Sequence, residues 1–134
     1  MATVITRYEG ELRTRARHLA SGTEIITDAP LDNHGKGSAF SPTDLLSASL
    51  GSCMLTLMGI AANTHGIQMD GTTIEITKIM AADPRRVAEV KIDFTFPGLS
   101  FSDKEKIILE RAARTCPVAL SLSDELVQSI RFNW

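Results

Sequence analysis

Two cysteines are the residues of this chain best suited to chemistry, and each has a distinct local setting. Cys53 lies inside a long apolar run that opens at Ser41-Pro42-Thr43-Asp44-Leu45-Leu46 and continues through Leu50-Gly51-Ser52-Cys53-Met54-Leu55. Cys116 lies where a second run meets a proline, Ala112-Ala113-Arg114-Thr115-Cys116-Pro117. Two thiols that a fold brings together can serve as the attacking and resolving partners of a redox couple. One competing reading is plain packing, since free cysteine is among the most buried residue types. Metal binding is disfavoured by spacing: His18, His34 and His65 are scattered, and no Cys-x-x-Cys or His-x-x-x-His occurs. A hydrolase would need a base, and local sequence sets no histidine beside Cys53.

The elements that must position these thiols follow from periodicity. Val4 to Glu9, Leu12 to His18 and Thr23 to Thr27 alternate as short strands, interrupted at Gly10 and at Ser21-Gly22. They predict an antiparallel meander with Arg13, Arg15 and Arg17 on one face. Asp28 to Phe40 is expected to be a loop and mobile connector; its glycines do not follow a phosphate-loop pattern. Ser41 is a good N-cap, Pro42 suits the first helical position, and Asp44 stands three residues after the cap. The helix they open should run to about His65 and stop at Gly66. It is apolar on most sides, so it is expected to be buried. Gly51 and Gly59 disfavour the helix by roughly 1 kcal/mol each relative to Ala, which points to close approach of another backbone.

Thr72 to Met80 and Val87 to Phe96 alternate across Asp83-Pro84-Arg85-Arg86, which predicts a β-hairpin. Ser102 with Glu105 forms a capping box for a second helix, expected to end about Cys116 because Pro117 disfavours helical geometry there. Ser123-Asp124-Glu125-Leu126 suggests a short helix start, and Val127 to Trp134 a final strand. The pattern is α+β in a single domain, residues 1–134. A buried long helix is hard to cover with so little sheet, so a second subunit is expected to supply the missing surface.

Position also ranks the thiols. Cys53 is about three turns into its helix, beyond reach of the macrodipole, so a cationic side chain from elsewhere must hold its thiolate. Cys116, read as a helix C-terminus, would face a dipole that disfavours negative charge, which suits it to resolving.

Composition excludes several partners. Of the 134 residues, 43% are hydrophobic and 22% charged, ordinary for a globular domain, and the net charge of −2 makes no case for nucleic acid or an anionic membrane. Met1 to Arg7 is short, β-branched and charged early, unlike a signal peptide. No apolar run is expected to span a bilayer. The expectation is a cytoplasmic protein in which a structural disulfide would be unusual.

Taken together, Ser41-Pro42-Thr43-Asp44-Leu45-Leu46, Leu50-Gly51-Ser52-Cys53 and Cys116-Pro117-Val118 resemble the OsmC/Ohr family of osmotically inducible and organic-hydroperoxide-resistance proteins. Leu12-Arg13 through Asp28-Ala29-Pro30 also resembles the OsmC-like branch, and the likeness covers essentially the whole chain. It implies an intertwined homodimer and a thiol peroxidase without metal, haem or flavin, acting in stress defence. Cys53 would attack the peroxide, Cys116 would resolve, and an external dithiol or dithiol-carrying protein would restore both. The resemblance also implies an arginine from the N-terminal strands, Arg13 or alternatively Arg15, that holds the thiolate. A glutamate after the helix-start proline would hold that arginine in turn. That position is Thr43 here. Asp44 is the nearest acid, turned about 100° round the helix and shorter. The departure predicts a slow peroxidase, or a non-peroxidatic relative that binds a small hydrophobic or thiol-reactive ligand at the same dimer-interface pocket.

Overall fold

The computed structural model describes residues 1–134 and gives strands β1 (Val4–Gly10), β2 (Arg13–His18) and β3 (Glu24–Asp28) before a long helix α1 (Pro42–His65). A hairpin of β4 (Thr73–Ala81) and β5 (Arg86–Thr95) follows, then α2 (Asp103–Arg114), α3 (Pro117–Ser121) and β6 (Val127–Asn133). The fold is α+β, with two three-stranded sheets. Met1–Leu45 and Leu46–Trp134 form two compact units.

In the first unit β1, β2 and β3 make the expected antiparallel meander. Register pairs Arg7 with Arg15, Arg13 with Asp28, and Arg17 with Glu24. Strand alternation therefore sets Arg13, Arg15 and Arg17 on one face. The turn from β1 to β2 passes through Gly10, Glu11 and Leu12, all at positive φ. The sheet has almost no core of its own: Ile5, Tyr8 and Ile25 are exposed, and only Thr27 and Asp28 of its strands are buried. The segment after β3 is knitted rather than plain loop. It holds a one-turn 3-10 helix, Leu31–Asn33, and folds back through Gly35 N–H to Pro30 O, Gly37 N–H to Ala29 O and Asp28 N–H to Phe40 O. Gly35 is required there, because an added Cβ would lie 1.8 Å from the Ala29 carbonyl oxygen.

The predicted cap of α1 is present. Asp44 N–H donates to Ser41 Oγ, and Ser41 N–H donates to Asp44 Oδ2, at 3.1 and 3.0 Å. The helix ends at His65 with Gly66 left-handed and Ile67 N–H bonded to Ala62 O, the pattern of a Schellman stop.

The core lies in the second unit. Ser47, Leu50, Gly51, Met54, Met58 and Ala62 form the buried stripe of α1, with Val90, Ile92 and Phe94 from alternate positions of β5 and Leu109 and Ala113 of α2. Gly51 allows close approach, although side chains rather than backbone come near: an added Cβ would sit 2.6 Å from Ile74 Cδ1 and Ile76 Cδ1. Gly59 has nothing within 4 Å of such a Cβ. Ser49, Ser52, Thr56, Ile60 and Asn63 lie exposed on the other side of the helix. The expectation of no run able to span a bilayer is corrected. By length and composition α1 is apolar enough, with a mean hydropathy of 1.7 and a third of its apolar window buried in this chain. A core helix passes the same test because apolar content serves either environment.

β6 joins the hairpin sheet parallel to β5, which needs a crossover, and α2 and α3 supply it. The Ser102–Glu105 capping box starts α2 as expected. α2 ends at Arg114 with Cys116 extended before Pro117, about where expected, and Pro117 also opens α3 at its first position. One expectation downstream fails. Ser123 to Leu126 is a turn closed by Leu126 N–H to Ser123 O, with no helix. Phe94, Phe96, Phe132 and Trp134 stack in a ladder across β5 and the chain end, Phe96 and Trp134 at 4.6 Å between ring centroids.

Candidate functional site

Cys53 is carried by the middle of α1 and Cys116 by the junction between α2 and α3. Both are free thiols, Cys53 half-buried and Cys116 fully buried. The fold of the second unit brings them together, close enough for the Cys53 thiol to act on the titration of Cys116. The reason given by sequence for Cys116 is overturned. It is the N-cap of α3, not a helix C-terminus, and its Sγ accepts the Ala119 N–H at 3.4 Å. That contact favours negative charge. Burial outweighs it and pushes the Cys116 thiol up, and the Cys53 thiol beside it pushes in the same direction. Cys116 is thus a protonated thiol at neutral pH, shut away from solvent, with a sulfur neighbour.

The first unit places the arginines. Arg13 grips Asp28 side-on, with Nε to Oδ1 at 2.7 Å and Nη2 to Oδ2 at 2.8 Å. Ser38 N–H adds a third bond to Oδ2 at 3.1 Å. The Arg13 side chain is 35% exposed and the Asp28 side chain 1%. The Arg13 hydrogen bonds hold the Asp28 carboxyl below the usual carboxylate range, against the opposing effect of burial, and Asp28 in turn raises Arg13. Arg15 makes a single bond to Glu9 at 2.9 Å on a more open part of the sheet. Asp44 closes the helix cap, and the Thr43 hydroxyl lies 3.2 Å from Ser41 Oγ.

Sequence reasoning missed Asp28. The signal lay in the register about the Ser21-Gly22 turn, which sets Arg13 directly opposite it. No three His, Cys, Asp or Glu side chains cluster in a way that could hold a metal ion.

Free thiols in contact, one reachable and the other sealed, define a dithiol protein on an α+β scaffold. Comparison with known proteins carries the assignment further. The chain belongs to the OsmC-like protein family, whose sequence model matches residues 35–130. Its fold matches a crystal structure from Psychrobacter arcticus 273-4, described provisionally as an osmotic stress induced and detoxification response protein. That match has 54% identity over 99% of this chain and 96% of the other, with a TM-score of 0.95. An organic hydroperoxide resistance protein OsmC from Legionella pneumophila shares the fold at 16% identity, a TM-score of 0.76, and coverage of 100% and 98%. Another from Elizabethkingia anophelis does so at 13% identity, a TM-score of 0.71, and coverage of 98% and 96%. No curated protein sequence matches the chain.

Proposed function

We propose that this protein is a cytoplasmic thiol-dependent reductase of organic hydroperoxides, acting in oxidative and osmotic stress defence. The observation that carries the reading is the thiol pair. Cysteines that merely fill a core have no need to meet, whereas Cys53 and Cys116 are neighbours, from α1 and the α2–α3 junction. The Cys53 thiolate attacks the distal peroxide oxygen, the O–O bond breaks, and the alkoxide takes a proton and leaves as alcohol. Cys53 is then a sulfenic acid. Cys116 sulfur attacks it; the Cys116 proton and the sulfenic hydroxyl leave as water, and a disulfide forms. An external dithiol returns both cysteines to thiols and becomes a disulfide itself. No metal, haem or flavin takes part. A cationic side chain is required to hold the Cys53 thiolate, and the apolar residues around Cys53, with Leu55 and Leu57 among those packed on the same core, favour alkyl over inorganic peroxides.

The working form is an intertwined homodimer. Ile60 on the exposed side of α1, and a meander with Ile5, Tyr8 and Ile25 in the open, are surfaces that a second copy would cover. Thr43 at the position of the family glutamate favours one second reading, a non-peroxidatic relative that binds a small thiol-reactive ligand at the same cysteines.

The deciding experiment is a thiol titration of the reduced protein before and after one equivalent of cumene hydroperoxide. Loss of two thiols per chain with release of one alcohol supports the peroxidase. Retention of both thiols, or a rate no faster than a free thiol, leaves the binding reading.

A further inference from the structure

One face of the meander gathers Arg7, Arg15 and Arg17 around a groove of its own. Strand register sets Arg7 directly across from Arg15, and Ile5 across from Arg17, which in turn faces Glu24. Cross-strand partners share a face of a sheet, so these side chains lie side by side. Like charges directly opposite on neighbouring strands weaken the pairing, and folding alone gives no reason to set Arg7 there. Acidic neighbours do not resolve the crowding. Glu9 takes Arg15 through Nε only, at 2.9 Å, and its carboxyl is held below the usual range by that bond and by the charges of Arg15, Arg7 and Arg13. Arg7 and Arg17 belong to no ion pair, whereas Arg13 is matched by Asp28 and Arg15 by Glu9. With Glu9 and Glu24 set against the three guanidinium groups, the face keeps one net positive charge, in a chain whose net charge is −2. A local rule broken without gain to the fold is a mark of a functional site.

The groove has a volume of about 320 Å³, near the lower end of the range for small-ligand pockets, and Ile5, Leu19 and Glu24 complete its lining. Along the strands the row of Arg7 and Arg15 comes first, then Ile5 and Arg17, then Leu19, whose N–H is tied to Thr3 O. Charge therefore stands at one end and exposed apolar surface at the other, with the methylene stem of Arg17 adding to the apolar part. Tyr8 and Ile25 belong to the opposite face by strand alternation, so a copy seated on them leaves this groove open. We propose that the groove is a binding site for a small amphipathic carboxylate of the medium-chain fatty acid class. Its carboxylate takes N–H groups of Arg7 and Arg15, and its chain lies over Ile5 and Leu19. The planar guanidinium fork matches a carboxylate at two points. A single net positive charge suits a monoanion better than a phosphate monoester, which carries about −1.5 to −2 at pH 7. The bound carboxylate also relieves the repulsion between Arg7 and Arg15. The groove lies wholly within Met1–Leu45, and binding there is independent of the thiols.

The test is isothermal titration calorimetry of the full-length reduced protein with decanoate below its micelle concentration. Saturable binding of one decanoate per chain is expected, weakening as salt is raised. Acetate and decanol each carry half of the ligand's chemistry and should bind at least about tenfold more weakly. Arg7→Gln should lose about tenfold in decanoate affinity, the worth of one charge-assisted hydrogen bond. Urea denaturation supplies a second readout. Arg7→Gln removes one member of the opposed pair, so without ligand it should unfold at a midpoint no lower than that of wild type. Decanoate should raise the midpoint of wild type and leave that of the variant nearly unchanged. If Arg7→Gln does not fold, Arg7→Lys decides: it keeps the charge, loses the two-point fork, and should still weaken binding.

The inference is overturned if decanoate shows no saturable binding, if a folded Arg7 variant binds it as tightly as wild type, or if decanol binds equally well, which would leave only an apolar surface. Binding to phosphatidylglycerol vesicles without binding of free decanoate would overturn it in favour of a membrane contact. A change in sedimentation of Arg7→Gln, with no decanoate bound by wild type, would assign the face to a contact between copies instead.

Discussion

At the scale of single residues, the two thiols differ in access. Cys116 is fully buried and Cys53 half-buried, so iodoacetamide applied to the native protein should label Cys53 first. Peptide mapping by mass spectrometry checks the order. Cys53→Ser should abolish hydroperoxide reduction. Cys116→Ser should stop after one turnover with a sulfenic acid that dimedone traps, because no neighbouring thiol remains to condense with it.

Asp28 also carries a pH dependence. Its folded carboxyl is depressed by the Arg13 hydrogen bonds, so the unfolded chain binds the proton more readily. Its contribution to stability is present above the unfolded value of about 3.9 and declines as pH falls through the lower folded one. Urea denaturation of wild type and Asp28→Asn across that acid range should show the difference between them shrinking as pH drops. A difference that stays constant would mean the pair does not titrate as described.

At the scale of elements, α1 depends on Gly51. Ala there would gain about 1 kcal/mol of helix propensity, but its methyl would meet Ile74 and Ile76 at 2.6 Å in a packed core. Overpacking of this kind costs about 1–3 kcal/mol, so Gly51→Ala should be net destabilising, by up to about 2 kcal/mol. Gly59→Ala meets nothing within this chain and supplies the contrast. Urea midpoints of the two variants give the comparison. The capping box of α2 offers a calibration: Ser102→Ala removes the bond from Glu105 N–H and should cost about 1 kcal/mol.

At the scale of the whole molecule, the proposed dimer follows from unmet burial. A helix as apolar as α1 with a third of its apolar window buried, and a meander that leaves Ile5, Tyr8 and Ile25 exposed, are what a partner copy would cover. An obligate interface of this kind should bury more than about 2,000 Å² in total. Sedimentation should therefore find a dimer at micromolar concentration, with a melting temperature that rises with protein concentration. A stable folded monomer would refute the intertwined assembly.

Local signals carried much of this protein. The cap at Ser41 and Asp44, the stop at Gly66, the capping box at Ser102 and the alternation in β2, β4 and β5 are set by interactions a few residues apart, and a sequence displays those directly. The pair of cysteine motifs was enough to suggest the family. What tertiary structure alone decided depends on residues distant in the chain. Pro117 shows in the sequence that α2 must stop near Cys116, but not that α3 begins there as well, and that second role changed the electrostatic setting of Cys116. The final strand shows its alternation but not its direction; its parallel pairing with β5 follows from the crossover through α2 and α3. The contact between Cys53 and Cys116 spans more than sixty residues of chain, and no local pattern encodes it. Asp28 reads as the edge of a turn, and becomes the anchor of Arg13 only when strand register sets the two side by side and burial demands that the carboxylate be paired.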